Sequence, residues 1–412
     1  MIKGGPRVVT DGLVLCLDAH DAKSYAGEPV TNLASGSWFT WVNSGAWTQN
    51  TYTTHESCPV GFPPGLKGVS GVQVLEGICT TTGSIHFGTG NVNPASASTQ
   101  YTYSVWFYQK DRAGIGAPYA RANVSNTNLG TMKYNGTTGS SNWPVNKWIK
   151  LEITFTTQSS DTQTYISNYI GSQVGDTMYF CAPQSEQKSY YSPYANSSRS
   201  ATNGWVDRSG NGNHGTLVNM VGTGASHYRD GQIIMPVANS YLDFDGSNDV
   251  VRCSTSLLST SDQPFTLSFW MYNRANNGGH FISKINDSTT WDGFAVWNNS
   301  GNGKIRFGLF KTYGTVQMFL DSSTTINLNT WYHVTCIYTG TQGQVYINGA
   351  LDNSQNYSGG YDGINYFYFG IGGRGAGGGN ANAKIANVLA YDRAITAAEV
   401  LSNYNATKGR FS

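Results

Sequence analysis

The sequence predicts an all-β protein built from two antiparallel β-sandwiches, one inserted into the first loop of the other. Three observations carry this. First, a strand-pair signature occurs twice: residues 265–274 read FTLSFWMYNR and 329–339 read NTWYHVTCIYT, while 101–110 read YTYSVWFYQK and 146–156 read NKWIKLEITFT. Trp270 matches Trp106 and Trp331 matches Trp148, and both copies alternate apolar and polar positions at period two, as half-buried strands do. Second, charged residues make up only 12% of the chain, while 50 glycines punctuate it and aromatics reach 13%, enough apolar surface to exclude a disordered chain. Third, residues 12–19, GLVLCLDA, read as a strand whose own neighbourhood offers it no sheet, and a strand does not fold alone.

Taken in order, 21–27 form a turn, and from Glu28 the chain has its own aromatic-rich strands and the looser copy of the signature. The first domain resumes at Gly204, where GWVDRSGNGNHGTL makes a tight polar turn and 241–253, YLDFDGSNDVVRC, a strand, a turn and a strand. The expected domains are therefore a discontinuous 1–27 plus 204–412, an insert at 28–182, and a return linker at 183–203 rich in Ser, Tyr and Asn. Within the insert, 55–71 is a Pro/Gly-punctuated loop, and 165–170 and 177–181 are short strands. After the hairpin GQVYINGA at 343–350 come a strand at 366–371, a glycine-rich loop at 370–382 and a final strand at 384–391. Thr396 and Glu399 then form a capping box for one short helix carrying Val400, Leu401 and Tyr404.

A formal charge of +1 leaves no basic field for nucleic acid or an anionic membrane. The opening MIKGGPRVVTDG lacks the apolar core of a signal peptide, and no apolar run is long enough to span a bilayer, so export through a classical signal is not expected. Cys16, Cys253 and Cys336 sit in strand patterns, where a reduced thiol behaves as a small hydrophobe. Cys58 and Cys79 are left open between a disulfide and the reduced state.

Several phrases resemble the concanavalin A-like, laminin G-like jelly-roll family: LVLCLDAHDAKSY at 13–25, DRSGNGNHGTL at 207–217, YLDFDGSNDVV at 241–251, WYHVTCIYTGTQGQVYINGA at 331–350 and IANVLAYDRAITAAEVLSNYNATKGRF at 385–411. The DAHDAKSY opening and NYNATKGRF ending are similar to laminin G-like structural proteins of tailed bacteriophages, including those of cyanobacteria. The insert, with APQSEQKSYYSPY at 182–194, resembles a carbohydrate-binding-module jelly roll. The resemblance implies two jelly rolls, while fold alone does not fix function.

Asp207, Asn211, Asn213 and Asp245 offer hard oxygens of the kind calcium takes, and the resemblance implies a structural calcium between such a turn and the last strand. Where the family's last strand commonly carries Asp-Glu, this chain has Asn387 and Val388. The alternative is that these side chains cap their own turns through Asx hydrogen bonds. For sugar binding, the candidates are Trp291, Asp292, Trp297, Asn298, Tyr313 and Tyr361, with Trp41, Trp47, Trp143 and Tyr190 comparable in the insert. Most aromatics of a sandwich pack its core, so each competes with that role. The paired-carboxylate pattern of sandwich glycosidases is absent, the seven histidines form no metal motif, and His333 alternates within a strand as a packed histidine would.

The expected function is that of a non-enzymatic virion protein exposed on a phage particle, as head decoration, head fibre or tail-associated fibre. It would be assembled in the host cytoplasm. Expected partners are other virion proteins of capsid or tail and host cell-surface glycans, with neither nucleic acid nor membrane; a homotrimer is the common assembly of such proteins. A free lectin, a tail receptor-binding adhesin and a glycan depolymerase are the rival readings.

Overall fold

The computed structural model describes residues 7–21, 23–25, 30–31, 33, 51–55, 59–63, 66, 72, 74–78, 83–88, 93–115, 118–122, 128–187, 194–195, 198–220, 240–285, 291–312, 315–363, 367–375 and 377–411. Strand makes up 47% and helix 6%, which settles the class as all-β. The described residues fall into two units, one drawn from Met1–Pro29, Ser200–His227 and Pro236–Ser412, the other from Val30–Arg199. Cys58 and Cys79 lie outside the described residues. Among those described, no helix is long and apolar enough to cross a membrane.

The unit that contains the C-terminus is a sandwich of two seven-stranded sheets. The first sheet runs Leu13–Leu17, Asn382–Tyr391, Phe265–Asn273, Trp331–Tyr338, Gln342–Ile347 and Ala350–Asn356, with Leu242–Asp245 also paired to Asn382–Tyr391. The second runs Thr216–Val218, Val250–Cys253, Phe369–Ile371, His280–Ile285, Gly293–Asn299, Lys304–Lys311 and Val316–Thr325. Period-two alternation turns Phe265 and Phe269 inward, where they meet Phe294 at 4.5 Å and Phe281 at 6.1 Å from the opposite sheet. At one edge the sheets are tied together: Asn353 Nδ2 donates to the Asp321 carbonyl at 2.8 Å, and the Thr324 amide donates to the Asp352 carboxylate at 3.2 Å.

The outward face of the first sheet is covered as well. Trp270 stacks on Phe411 at 4.5 Å and Tyr404 at 5.8 Å, and its indole N–H donates to Thr407 Oγ1 at 2.8 Å. Tyr404 and Thr407 belong to the helix Ala397–Thr407, which begins with the expected capping box: the Glu399 amide donates to Thr396 Oγ1 and the Thr396 amide to Glu399 Oε2. Arg393 clamps the Glu399 carboxylate at 2.6 Å, and this hydrogen bond is the main reason its pKa falls to about 2. Val400 faces the sheet, whereas Leu401 is 46% exposed and contributes little. Val8 and Val9 of the N-terminal arm complete the cover. Cys16, Cys253 and Cys336 are free thiols, and burial pushes each pKa up, that of Cys16 to about 12.

The other unit contains a five-stranded sheet in the order Ile149–Thr156, Gln100–Gln109, Thr177–Glu186, Val74–Ile78, Thr51–His55, and a second five-stranded sheet of Gly83–Gly88, Gln163–Ser172, Pro118–Ala122 and Asn128–Thr131, with Asn93–Pro94 paired to Gln163–Ser172. The two strands read as short are ten residues each. Thr177–Glu186 runs past the point where a linker was expected: Ala182, at φ 51°, makes a bulge between Cys181 and Gln184, after which pairing with Gln100–Gln109 continues. Ser198–Arg199 then pairs with Val30–Thr31, so this unit begins and ends on two bonded strands.

The repeated signature has one register in both units. Tyr272 pairs with Trp331 and Trp270 with His333; Lys150 pairs with Trp106, and Tyr108 packs on Trp148 at 5.5 Å, the ring distance of Tyr272 and Trp331. Because Trp270 is 3% exposed and bonded at its indole, Trp270→Ala is expected to cost about 3–5 kcal/mol. Urea unfolding checks this, with the exposed Leu351→Ala as the near-neutral control.

Candidate glycan-binding face

The outward face of the second sheet carries an aromatic cluster. In Gly293–Asn299, alternation sends Phe294 and Val296 to the core and turns Trp297 outward. Trp297 pairs in register with Arg306, and beyond it Gly308 pairs with Phe319. A Cβ at Gly308 would lie 2.7 Å from Trp297 and 2.8 Å from Phe310, so the missing side chain lets both rings lie close to the sheet. Trp291 stands edge-on to Trp297 at 6.2 Å and to Phe310 at 5.0 Å, and Phe319 edge-on to Trp297 at 6.0 Å. Trp297 and Phe310 are buried by their neighbours, while Trp291 is half-buried and Phe319 is 40% exposed. These two rings are the surface that the cluster offers.

A polar hub borders the rings. Arg306 lies 5.3 Å over Phe319 and forms a two-pronged pair with Asp321, at 2.5 Å from Nε and 2.9 Å from Nη2. Asn299 and Asn302 each add a hydrogen bond to Asp321 Oδ2 at 3.1 Å. The Arg306 hydrogen bond is the main cause that holds the Asp321 carboxyl below the usual carboxylate range. On the other flank His280 stacks on Trp297 at 5.6 Å. Burial, then the nearby Arg374 charge, lowers its pKa to about 4, so the ring is neutral.

The expected sugar-binding residues divide. Trp291 and Trp297 are brought together. Asp292 is buried at 6% exposure, which keeps it from the surface. Asn298 is corrected to a structural role: at 2% exposure it accepts from the Gly278 amide at 2.6 Å and donates to the Ala275 carbonyl at 2.6 Å, fixing the turn after Asn273. Tyr361 is likewise a core residue, 1% exposed, with its hydroxyl on the Gln263 carbonyl and its ring against Phe265 and Phe294. Trp143 is 3% exposed within the core of the other unit. Tyr313, Trp41, Trp47 and Tyr190 lie outside the described residues. Phe319, Arg306 and Asp321 were not anticipated; the clue was their shared outward phase, readable only once the register with Trp297 is known.

The residues expected to hold calcium do not fit it. Asp207 Oδ1 accepts from the amides of Cys16 and Ser209, and Oδ2 from Ser209 Oγ and the Asn213 amide. All four donors approach where a cation would sit. Asn211 and Asn213 donate their amide hydrogens to the carbonyls of Leu13 and Val14, so the SGNGN turn clamps the first strand. Asp245 serves a different turn, accepting from the Ser247 amide. Among the described residues no group of His, Cys, Asp and Glu is arranged to hold a metal. This is the Asx-turn alternative.

His333 also takes its packed role. Its Nε2 lies 3.0 Å from Ser268 Oγ, but the ring is 1% exposed beneath Trp270 and Tyr404, and among the described residues Nδ1 has no partner. A triad needs a carboxylate at Nδ1 and access for substrate, and this pair has neither.

Two outcomes follow. Added calcium leaves the melting temperature unchanged, while Asp207→Ala lowers stability by about 1–3 kcal/mol through the donors it strands, as thermal and urea unfolding would show. Burial lowers the folded pKa of His280 to about 4 and of His333 to about 3, whereas an unfolded histidine titrates near 6.5. The unfolded chain therefore takes up protons first as pH falls, and stability drops below pH 6.5 by roughly 2 kcal/mol per histidine at pH 5. Urea midpoints across pH 5–8 test this, and His333→Gln should flatten the slope.

Residues 245–401 match the model of the concanavalin A-like lectin/glucanases superfamily. No curated sequence matches the chain. Similar solved structures include the binding domain of botulinum neurotoxin serotype G, 20% identical with a TM-score of 0.36 over 50% of this chain and 49% of that one. Domain 4 of AbnA, a GH43 extracellular arabinanase from Geobacillus stearothermophilus, in complex with arabinotriose, is 19% identical with a TM-score of 0.37 over 48% of this chain and 91% of that one. A Trypanosoma rangeli sialidase is 14% identical with a TM-score of 0.36 over 50% of this chain and 31% of that one. The chain spans about half the length of the toxin binding domains it matches. The family match and the two packed antiparallel sheets make residues 245–401 a laminin G-like, concanavalin A-like jelly-roll domain of the lectin/glucanase superfamily.

Proposed function

We propose that this protein is a non-catalytic glycan-binding adhesin that seats sugar on the Trp291, Trp297 and Phe319 face of its jelly roll. The observation that carries the reading is the pair of partly exposed rings, Trp291 and Phe319, set on the rigid Trp297–Phe310 base beside the Arg306–Asp321 hub. Sugar C–H faces pack on such rings, and polar groups at the margin fix orientation. The family match, to lectins and glucanases, supports a sugar as ligand. Non-catalytic binding is supported by the carboxylates: glycoside hydrolysis needs one protonated and one ionised carboxyl across the bond, but Asp321 is held ionised by Arg306 and Asp292 is buried.

The opening and closing phrases favour the outer surface of a tailed-phage particle as the place of action, as head decoration, head fibre or tail-associated fibre. There it would contact capsid or tail proteins and host glycans, as a homotrimer. Immunogold labelling of intact particles tests the location. On a glycan array, Trp291→Ala and Phe319→Ala should each weaken the strongest interaction roughly tenfold, about 1.4 kcal/mol. Unchanged binding by both variants would exclude this face, and release of reducing ends from host polysaccharide would replace the adhesin with an enzyme.

A further inference from the structure

A cleft of about 300 Å³ lies elsewhere on the same unit, lined by Val14, Asn211, Asn213, Ser256, Leu257, Leu258, Ser259, Thr260, Gln263 and Asp392. Its side-chain amides share one orientation. Asn211 and Asn213 donate to the carbonyls of Leu13 and Val14, and Gln263 Nε2 donates to the Asp392 carbonyl at 3.0 Å. A carbonyl only accepts, so each amide must turn its NH₂ end to the backbone, and the orientation of all three is fixed. The three amide oxygens are left with no protein donor among the described residues, and so is the Asp392 carboxylate. The cleft is thus weighted toward acceptors, with the Thr260 hydroxyl beside them, and carries one negative charge.

Its wall is held in place. Leu258 has φ 49°, a left-handed conformation that costs a leucine about 1 kcal/mol and persists only where its surroundings enforce it. They do: Lys284 Nζ donates to the Thr255 carbonyl at 2.6 Å, Ser259 Oγ to the Ser256 carbonyl at 2.9 Å, and the Tyr361 amide to Asp262 at 2.9 Å. Leu257 and Leu258, 3% and 8% exposed, supply an apolar floor.

We propose that this cleft is a second ligand site, separate from the aromatic face, that takes one neutral sugar unit through its hydroxyl donors. Sugar hydroxyls can donate to these acceptors and accept from the Thr260 hydroxyl, and the ring's C–H face suits Leu257 and Leu258. Calcium suits it less, since such sites commonly gather several carboxylates and this one has one. The cleft has room for a single sugar ring rather than a chain. The inference shares the sugar ligand class with the reading above but does not depend on the aromatic face.

The test is saturation-transfer NMR on the full chain with methyl glucoside, methyl galactoside and methyl mannoside, in wild type, Trp291→Ala, Asp392→Ala and the double variant. Among the described residues the Asp392 side chain makes no hydrogen bond or ion pair, so its removal should leave the fold intact, which the melting temperature checks. The expected result is a sugar signal that survives Trp291→Ala and whose affinity falls at least about fivefold on Asp392→Ala. Equal affinity with and without Asp392, or no signal in Trp291→Ala, would overturn the proposal. So would displacement of the sugar by calcium, which would make the cleft a cation site. Failure of the aromatic-face reading would instead appear as no effect of Trp291→Ala on the glycan array.

Discussion

The structure of the C-terminal unit depends on one strand, Asn382–Tyr391, which is hydrogen-bonded to the first strand of the chain, to Leu242–Asp245 and to Phe265–Asn273. Its last seven residues are buried, so the sheet must be covered on both faces. The inner cover is the second sheet. The outer cover is built from the two ends of the chain: Val8 and Val9 precede the first strand, and the capped helix and Phe411 follow the last. The short helix is therefore less an appendage than the means by which Trp270 and His333 are kept dry. The SGNGN turn belongs to the same scheme, since it spends Asp207, Asn211 and Asn213 on holding the first strand beside its partner.

The two units solve one packing problem with different material. Each pairs its tryptophan strands in the same register, and each sets a basic side chain opposite the central tryptophan: His333 against Trp270, Lys150 against Trp106. Both are pressed toward neutrality by burial, Lys150 to a pKa of about 8. In one unit the cover is a helix. In the other, Val60, Phe62, Leu66 and Val72, with Tyr194, pack over the tryptophans from irregular segments. The repeated sheet is thus compatible with covers that share no sequence pattern.

Much of this was legible because strand alternation is local. The signature strands, the capping box and the packed character of His333 all follow from residues within a few positions of one another. At Ala182 a left-handed bulge breaks the alternation, so the strand beyond it reads as linker. The site was half legible for a related reason. Trp291 and Trp297 stand out as aromatics near loops, but Tyr361 looks the same in sequence and is buried against Phe265 and Phe294, while Asn298 is taken up by the turn after Asn273. Phe319 reads as an ordinary strand residue until its pairing opposite Gly308 places it beside Trp297. The calcium expectation came from residue types and the family resemblance, and neither shows that Asp207 is saturated by donors from its own turn together with the amide of Cys16, which lies nearly two hundred residues away.

The pairing of Val30 with Arg199 sets the ends of the second unit one strand spacing apart, about 5 Å. A segment of that kind can be lost, gained or exchanged by recombination with little penalty, because any surface hairpin able to open by the width of two paired strands can receive it. The ladder at its mouth gives such a module its own closure.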